Sequence, residues 1–328
     1  MNSQSILSLI SPENYLQKEL MSANGIKNIY MYKLPMSKVE KIFFRLCREF
    51  NLEKMYSEEL RHFDLSTLDL VIIHEPIFPD YVVKYIRQRN PKCRIILIMW
   101  NTLAYTGSLK FYNKQKHFQR LLQDRDRYNY SVLSFDKEDC HLYGMTYNNQ
   151  FTFYCEAGDD ENALDHALNH GVFFCGRDKN RIGKAMALGK WLEQSSIPFT
   201  CWMVPEFDKS YAADQIAFLK KDGNVPYDAM ITEMKRHTIL LDLVQKGQHG
   251  ITWRPLEAML YGKKLITDFE EIKNYDFYNP DNIYIIRDTN FLGLREWMAK
   301  PFVNVPDAIK KNYLFPGWLE NISQKLNW

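Results

Sequence analysis

No C-x-x-C pair occurs among the six cysteines, Cys47, Cys93, Cys140, Cys155, Cys175 and Cys201. Scattered through 328 residues, they read as reduced thiols of a cytosolic protein, several of them small core residues. They give no support to a zinc site. No apolar run approaches the ~18 residues of a membrane span. Met1–Asn14 lacks the basic region and long apolar stretch of an export signal. The expectation is a chain that is neither secreted nor membrane-spanning. Net charge is only +2, too little to make the whole molecule a nucleic-acid binder. A nucleophile elbow, a P-loop and a G-x-G-x-x-G turn are all missing, as is any short-period repeat. Asp124-Arg125-Asp126 has the D-x-D form that can hold a metal, but it lies in a charged helical stretch and follows no strand. No metal and no cofactor are expected.

What is present is globular. Hydrophobic residues make up 46% and aromatics 14%, too rich for disorder and enough for a core in each of two domains. Acidic residues are absent from Tyr81 to Gln123, which carries Lys84, Arg87, Arg89, Lys92, Arg94, Lys110, Lys114, Lys116 and Arg120. Such a field attracts anionic surfaces, or is a solvated face whose partners lie elsewhere in the sequence.

Short apolar runs alternate with helical patterns. Strands are expected at Ile29–Tyr32, Leu70–His74, Arg94–Trp100, Ser131–Phe135 and Gln150–Tyr154. Helices are expected at Val39–Phe50, Pro79–Arg89 and His117–Asp126. LVIIH and RIILIMW are continuous apolar runs, as parallel strands covered on both faces require. The acidic segment Glu156–His170 reads as a hinge. The alternation then restarts, with strands at Val172–Cys175, Phe199–Val204, Ile239–Leu243, Leu265–Thr267 and Ile283–Ile286. Helices fall between them at Ile182–Gln194, Tyr211–Leu219, Tyr227–Arg236 and from Pro255. The fold class is therefore α/β, with two Rossmann-like domains at 1–155 and 171–305. A helical tail, 306–328, is expected to return to the first domain.

In open parallel sheets, ligands lie beyond the carboxyl ends of the strands. The most informative such place is Gln245–Thr267. Gly247-Gln248-His249-Gly250 is a loop that exposes amides before a helix start, a setting that favours an anion. Arg254 adds a cationic fork. Glu257, one turn into the helix, suits the two hydroxyls of a ribose. A second place is Gly176-Arg177-Asp178-Lys179-Asn180-Arg181. There Arg177 and Lys179 suit a diphosphate, and the alternative is a solvated loop with Asp178 as helix cap. Tyr227 opens a helix, a place where a tyrosine more often packs. In the first domain, Glu75 and Asp136 each follow a strand. Either could take a proton from a hydroxyl, and either could cap a helix. His74 reads as a core histidine.

RPLEAMLYGKKLIT (254–267) resembles the donor-nucleotide helix of bacterial GT-B glycosyltransferases of capsule and O-antigen biosynthesis. The resemblance extends to FFCGRDKNR (173–181) and Tyr227–Gly250, and more loosely along the chain. It implies two Rossmann-like domains facing across a cleft, with a nucleotide-sugar donor, UDP-linked by the same resemblance, in the second and the acceptor in the first. It also implies that no metal is required. Glu257 matches the family glutamate that binds the donor ribose, and the resemblance makes the region opened by Tyr227 a candidate for a contact with the base edge. The position eight residues earlier, acidic in many retaining members, is His249, so stereochemistry stays open. The implied partners are the nucleotide-sugar and a saccharide or lipid-linked oligosaccharide. The basic 81–123 stretch would then lie against anionic headgroups at the inner membrane face. A sugar-nucleotide 2-epimerase and a catalytically inactive subunit of the same fold are the alternatives.

Overall fold

The computed structural model describes residues 3–11, 15–33, 53–75, 79–103, 115–152, 169–206, 209–220, 225–287 and 289–328. The expected helix Val39–Phe50 and most of the expected hinge lie outside the described residues. The chain divides into two compact units, Met1–Asn149 and Gln150–Trp328.

Among the described residues, the first unit holds strands β1 (Ile6–Ile10), β2 (Lys27–Tyr30), β3 (Leu70–His74), β4 (Arg94–Met99), β5 (Ser131–Ser134) and β6 (Thr146–Tyr147). They form one sheet in the order β2-β1-β3-β4-β5-β6, every pair parallel. Helices α1 (Tyr15–Ala23), α2 (Glu58–His62), α3 (Pro79–Arg89), α4 (Gln115–Tyr128) and α5 (Lys137–Tyr143) connect them. All five residues of β3 are buried, which explains the unbroken apolar LVIIH. The pattern of apolar runs does not reveal β1: ILSLI, also wholly buried, lies ahead of the first strand expected from the sequence.

The second unit repeats the plan. Strands β7 (Asn169–Arg177), β8 (Phe199–Val204), β9 (His237–Asp242), β10 (Lys264–Thr267) and β11 (Ile283–Ile285) run parallel in the order β11-β10-β9-β7-β8. Helices α6 (Ile182–Gln194), α7 (Ala213–Ile216), α8 (Tyr227–Lys235), α9 (Trp253–Leu260), α10 (Leu294–Met298), α11 (Asp307–Lys311) and α12 (Phe315–Lys325) complete it. Alternate residues of the strands feed two cores, as the period of two requires. Phe173, Leu240 and Leu265 pack with α8 and α9 on one face. Val172, Phe174, Ile239, Leu241 and Ile266 pack with α6 and α10 on the other.

The sequence predicts Gln150–Tyr154 as a strand of the first domain, but Phe151 is fully buried against Phe315 and Trp318. The Thr152 amide donates to the Tyr313 carbonyl at 3.0 Å. Apolar burial thus places 150–152 with the tail, and both are counted in the second unit.

Part of the basic stretch is committed to the fold. Arg87 donates to the carbonyls of Tyr128, Pro91, Cys93 and Asn129, and Arg89 pairs with Glu53. Lys110 and Lys114 lie outside the described residues. Asp124-Arg125-Asp126 is on α4, as expected. No described helix is long and apolar enough to cross a membrane.

Candidate functional site

In both sheets the chain builds outward from an inner strand, first to one side and then to the other. The direction reverses between β1 and β3 in the first unit and between β7 and β9 in the second. Loops diverge at such a switch point, and ligands bind beyond the carboxyl ends there. In the second unit the switch is bounded by Arg177 and Asp242, and the predicted donor residues surround it.

Arg181 fastens these strand ends. Its guanidinium donates to the carbonyls of Leu243, Arg177 and Asp178. A Cβ on Gly176 would lie 3.2 Å from its Nη2, so the glycine leaves room for this clamp. Asp178 is fully buried. Its Oδ1 accepts from the amides of Arg181 and Ile182 at 2.9 and 2.8 Å, and its Oδ2 from Lys209 Nζ at 2.5 Å and the Tyr211 hydroxyl at 3.0 Å. Burial alone would raise this carboxyl; the donors from Lys209, Ile182 and Tyr211 outweigh it and hold it below its ordinary value. The residue that caps α6 is Arg181, and the Asp178 carboxylate occupies two of the amides where that helix begins. Arg177 is exposed beside it. Lys179 is half-buried, has φ +42°, and donates its amide to Glu206 Oε1 at 3.1 Å.

The loop 243–252 joins β9 to α9. Gly247 has φ +78°, a conformation that disfavours any side chain. Gln248 is buried and donates from Nε2 to the Gly250 carbonyl at 2.6 Å, bracing the loop. His249 Nδ1 meets Glu271 Oε1 at 3.0 Å, both half-exposed. Thr252 caps α9, accepting from the Arg254 amide at 3.3 Å.

Glu257 has a different setting from the one expected. The sequence predicts a carboxylate open to a ligand, with Arg254 directed at the loop. Instead Glu257 is 1% exposed. Its Oε1 accepts from the Tyr227 hydroxyl at 3.0 Å and its Oε2 from Arg254 Nη1 at 2.6 Å. Arg254 Nη2 donates to the Cys175 carbonyl at 3.2 Å, and the guanidinium lies between Phe173 and the sulfurs of Met230 and Met234. The physical reason is spacing. Residues three apart share one face of a helix, and here that face turns toward the core. Burial lowers the Arg254 pKa, and the Glu257 charge outweighs it. Burial and then Glu257 push the Tyr227 hydroxyl well above its ordinary value. The structure thus joins Tyr227, Arg254 and Glu257, three residues picked out separately in the sequence, into one buried cluster.

In the first unit, Glu75 follows β3 at the switch point, whereas Asp136 lies beyond β5. Glu75 has φ +35°, a strained value for a residue with a side chain. Its Oε1 accepts from the Trp100 and Asn101 amides at 3.0 and 2.7 Å, and Oε2 from Asn101 Nδ2 at 3.1 Å. Asp136 is 1% exposed and caps α5 through the amides of Glu138 and Asp139. His74, fully buried, accepts from Trp100 Nε1 at 2.9 Å, and burial lowers its pKa to about 3.

The sequence does not mark Asp242, Lys209 and Asp268 as site residues, and it offers Arg181 only as one cation of the loop after β7. Asp242 closes β9, and Asp268 follows β10, accepting from the Val244 amide at 2.7 Å and from Lys184 at 2.5 Å. The signal for these two is their position at strand ends; the partners that reveal their roles are distant in sequence.

The chain is similar in structure to TarM, with 14% sequence identity, 87% of this chain and 58% of TarM covered, and a TM-score of 0.52. It thus spans less than two thirds of TarM. It is also similar to sucrose-phosphate synthase from Thermosynechococcus elongatus, with 10% identity, 98% of each chain covered and a TM-score of 0.61. No protein-family model and no curated protein matches the sequence. At these identities the likeness is one of fold: two parallel α/β units of the GT-B kind, as the sequence led us to expect.

Proposed function

We propose that the protein is a glycosyltransferase whose second unit binds a nucleoside-diphosphate sugar, UDP-linked on the strength of the sequence resemblance. The observation that carries this reading is the grouping at the second switch point. Exposed Arg177, half-buried Lys179, the loop Gly247-Gln248-His249-Gly250 and the Tyr227–Arg254–Glu257 cluster all belong to elements that meet the carboxyl ends of β7 and β9.

Each group has a chemical task in that reaction. An acceptor hydroxyl attacks the anomeric carbon, and the bond to the diphosphate breaks. Arg177 and Lys179 offset the charge that grows on the leaving diphosphate, and the loop amides add dipoles already oriented for it. Glu257 holds the ribose hydroxyls, with Arg254 and Tyr227 fixing its carboxylate. In the first unit Glu75 takes the acceptor proton. Its strained backbone and the amides that fix its carboxylate are marks of a preorganised group. Asp136, committed to a helix cap, is the weaker choice. The acceptor we assign is a saccharide or lipid-linked oligosaccharide of surface polysaccharide synthesis.

Calorimetry with UDP in EDTA, followed by transfer and hydrolysis assays with UDP-sugars, tests the reading. Binding without added metal and release of UDP are expected. A strict magnesium or manganese requirement for binding would overturn the metal-free chemistry. Absence of binding to any nucleotide diphosphate would overturn the donor site itself.

A further inference from the structure

Asp242 ends β9 beside Thr267 of β10, inside the second switch point. It is 4% exposed. Its Oδ1 accepts from the Thr252 hydroxyl at 3.0 Å, while its Oδ2 is buried with no hydrogen-bond partner among the described residues. A buried carboxylate oxygen without a donor is costly when ionised, so such an atom calls for an explanation.

The surroundings supply one. Thr252 passes the contact on. The same hydroxyl that donates to Asp242 accepts the Arg254 amide, so Asp242 fixes the first turn of the helix carrying Arg254 and Glu257. Among the described residues, three charged groups bear on Asp242 from the elements around it: Arg181 at the start of α6, Arg254 on α9, and Asp268 beyond β10. The two arginines favour its charge and Asp268 opposes it. Burial outweighs them all and brings its pKa up to about 6. The group is therefore poised where a modest change of local field alters its protonation.

We propose that Asp242 is a positioning residue that takes up a proton when a nucleotide diphosphate binds, coupling donor affinity to pH while holding α9 through Thr252. The proposal rests on the donor site assigned above. An incoming diphosphate brings negative charge to the loops after β7 and β9 and competes for the cations that face Asp242. Both effects raise its proton affinity. By linkage, a group that gains a proton on binding makes binding tighter as pH falls. A rise of one pKa unit on binding corresponds to a complex about tenfold tighter at the acid end of the range.

The test is UDP calorimetry in buffers of different ionisation enthalpy between about pH 5.5 and 8, a window that brackets the Asp242 pKa of about 6, on the full chain and on Asp242→Asn. UDP titrates in this range itself, so the variant supplies the baseline. Wild type is expected to take up a further fraction of a proton near the middle of this window, and its affinity to fall more steeply with rising pH than that of the variant. Equal proton counts and parallel affinity profiles would overturn the proposal while leaving UDP binding intact. Failure of wild type to bind UDP would instead overturn the donor site and, with it, this proposal. Should Asp242→Asn not fold, Thr252→Val removes the donor to Oδ1 and should move the uptake to higher pH; an unmoved profile would equally refute the coupling.

Discussion

Replacing Glu257 by glutamine separates what the buried cluster does for the fold from what it does for a ligand. In the wild type, Glu257 Oε2 lies 2.6 Å from Arg254 Nη1, and the Arg254 side chain is only 11% exposed. The Glu257→Gln substitution would leave that guanidinium facing a neutral amide. Removing one partner of a buried ion pair costs roughly 3–5 kcal/mol, because the other charge stays buried. The variant should therefore unfold at markedly lower urea, a result not expected of a carboxylate open to solvent. UDP affinity should fall as well. Charge-assisted hydrogen bonds contribute about 1.5–3 kcal/mol each, so losing even one predicts a drop of at least about tenfold. To separate the two effects, Arg254→Met is combined with Glu257→Gln. With both charges gone, most of the stability should return, since apolar replacement of a buried pair is often neutral. UDP affinity should stay low. Urea unfolding and calorimetry on the two single variants and the double variant decide the matter. A double variant that binds UDP as tightly as wild type would refute the ribose role, and a Glu257→Gln variant as stable as wild type would refute the buried pair.

Three further outcomes follow from the geometry. Glu75→Gln should retain UDP affinity and lose turnover by roughly 10²–10⁴, as expected of a general base; Asp136→Ala should keep turnover and lose about 1–2 kcal/mol of stability as a lost cap, and the reverse pattern would exchange their roles. Arg177→Ala should weaken UDP binding about tenfold, more at low salt than at high, with stability changed by less than about 0.5 kcal/mol since the side chain is exposed; salt-independent loss would argue against a charge contact. His74 has its pKa lowered from 6.5 to about 3 by burial, so the unfolded chain binds the proton first and stability is lost as pH falls below 6.5. Over the first two pH units below that value this one group should cost about 2 kcal/mol, and His74→Gln should flatten that part of the urea-midpoint profile; an unchanged profile would show that other groups dominate.

The alternation of apolar runs and helical patterns makes the α/β class and the two parallel sheets legible, because buried parallel strands such as LVIIH are apolar throughout. The buried strand β1 also locates the first switch point. Strand order decides where the switch point falls, so without ILSLI the position of Glu75 at the reversal, and of Asp136 away from it, cannot be derived. Glu257, Arg254 and Tyr227 are each legible as candidates by residue type and place. Their mutual burial is not, since it depends on α8 packing beside α9, a contact spanning 30 residues. Asp242 falls inside the expected strand Ile239–Leu243, where the sequence gives it no role, and an oxygen without a partner among the described residues is a fact of three-dimensional packing.

In the proposed function the nucleotide diphosphate lies at the carboxyl ends of β7 and β9. Hydrogen exchange with and without saturating UDP, resolved by peptide, tests it most directly. Protection is predicted in the segments covering 174–185 and 243–260, with little change in the strand starts of the same sheet. UDP binding that protects neither segment, or protects only peptides of the first unit, would contradict the account.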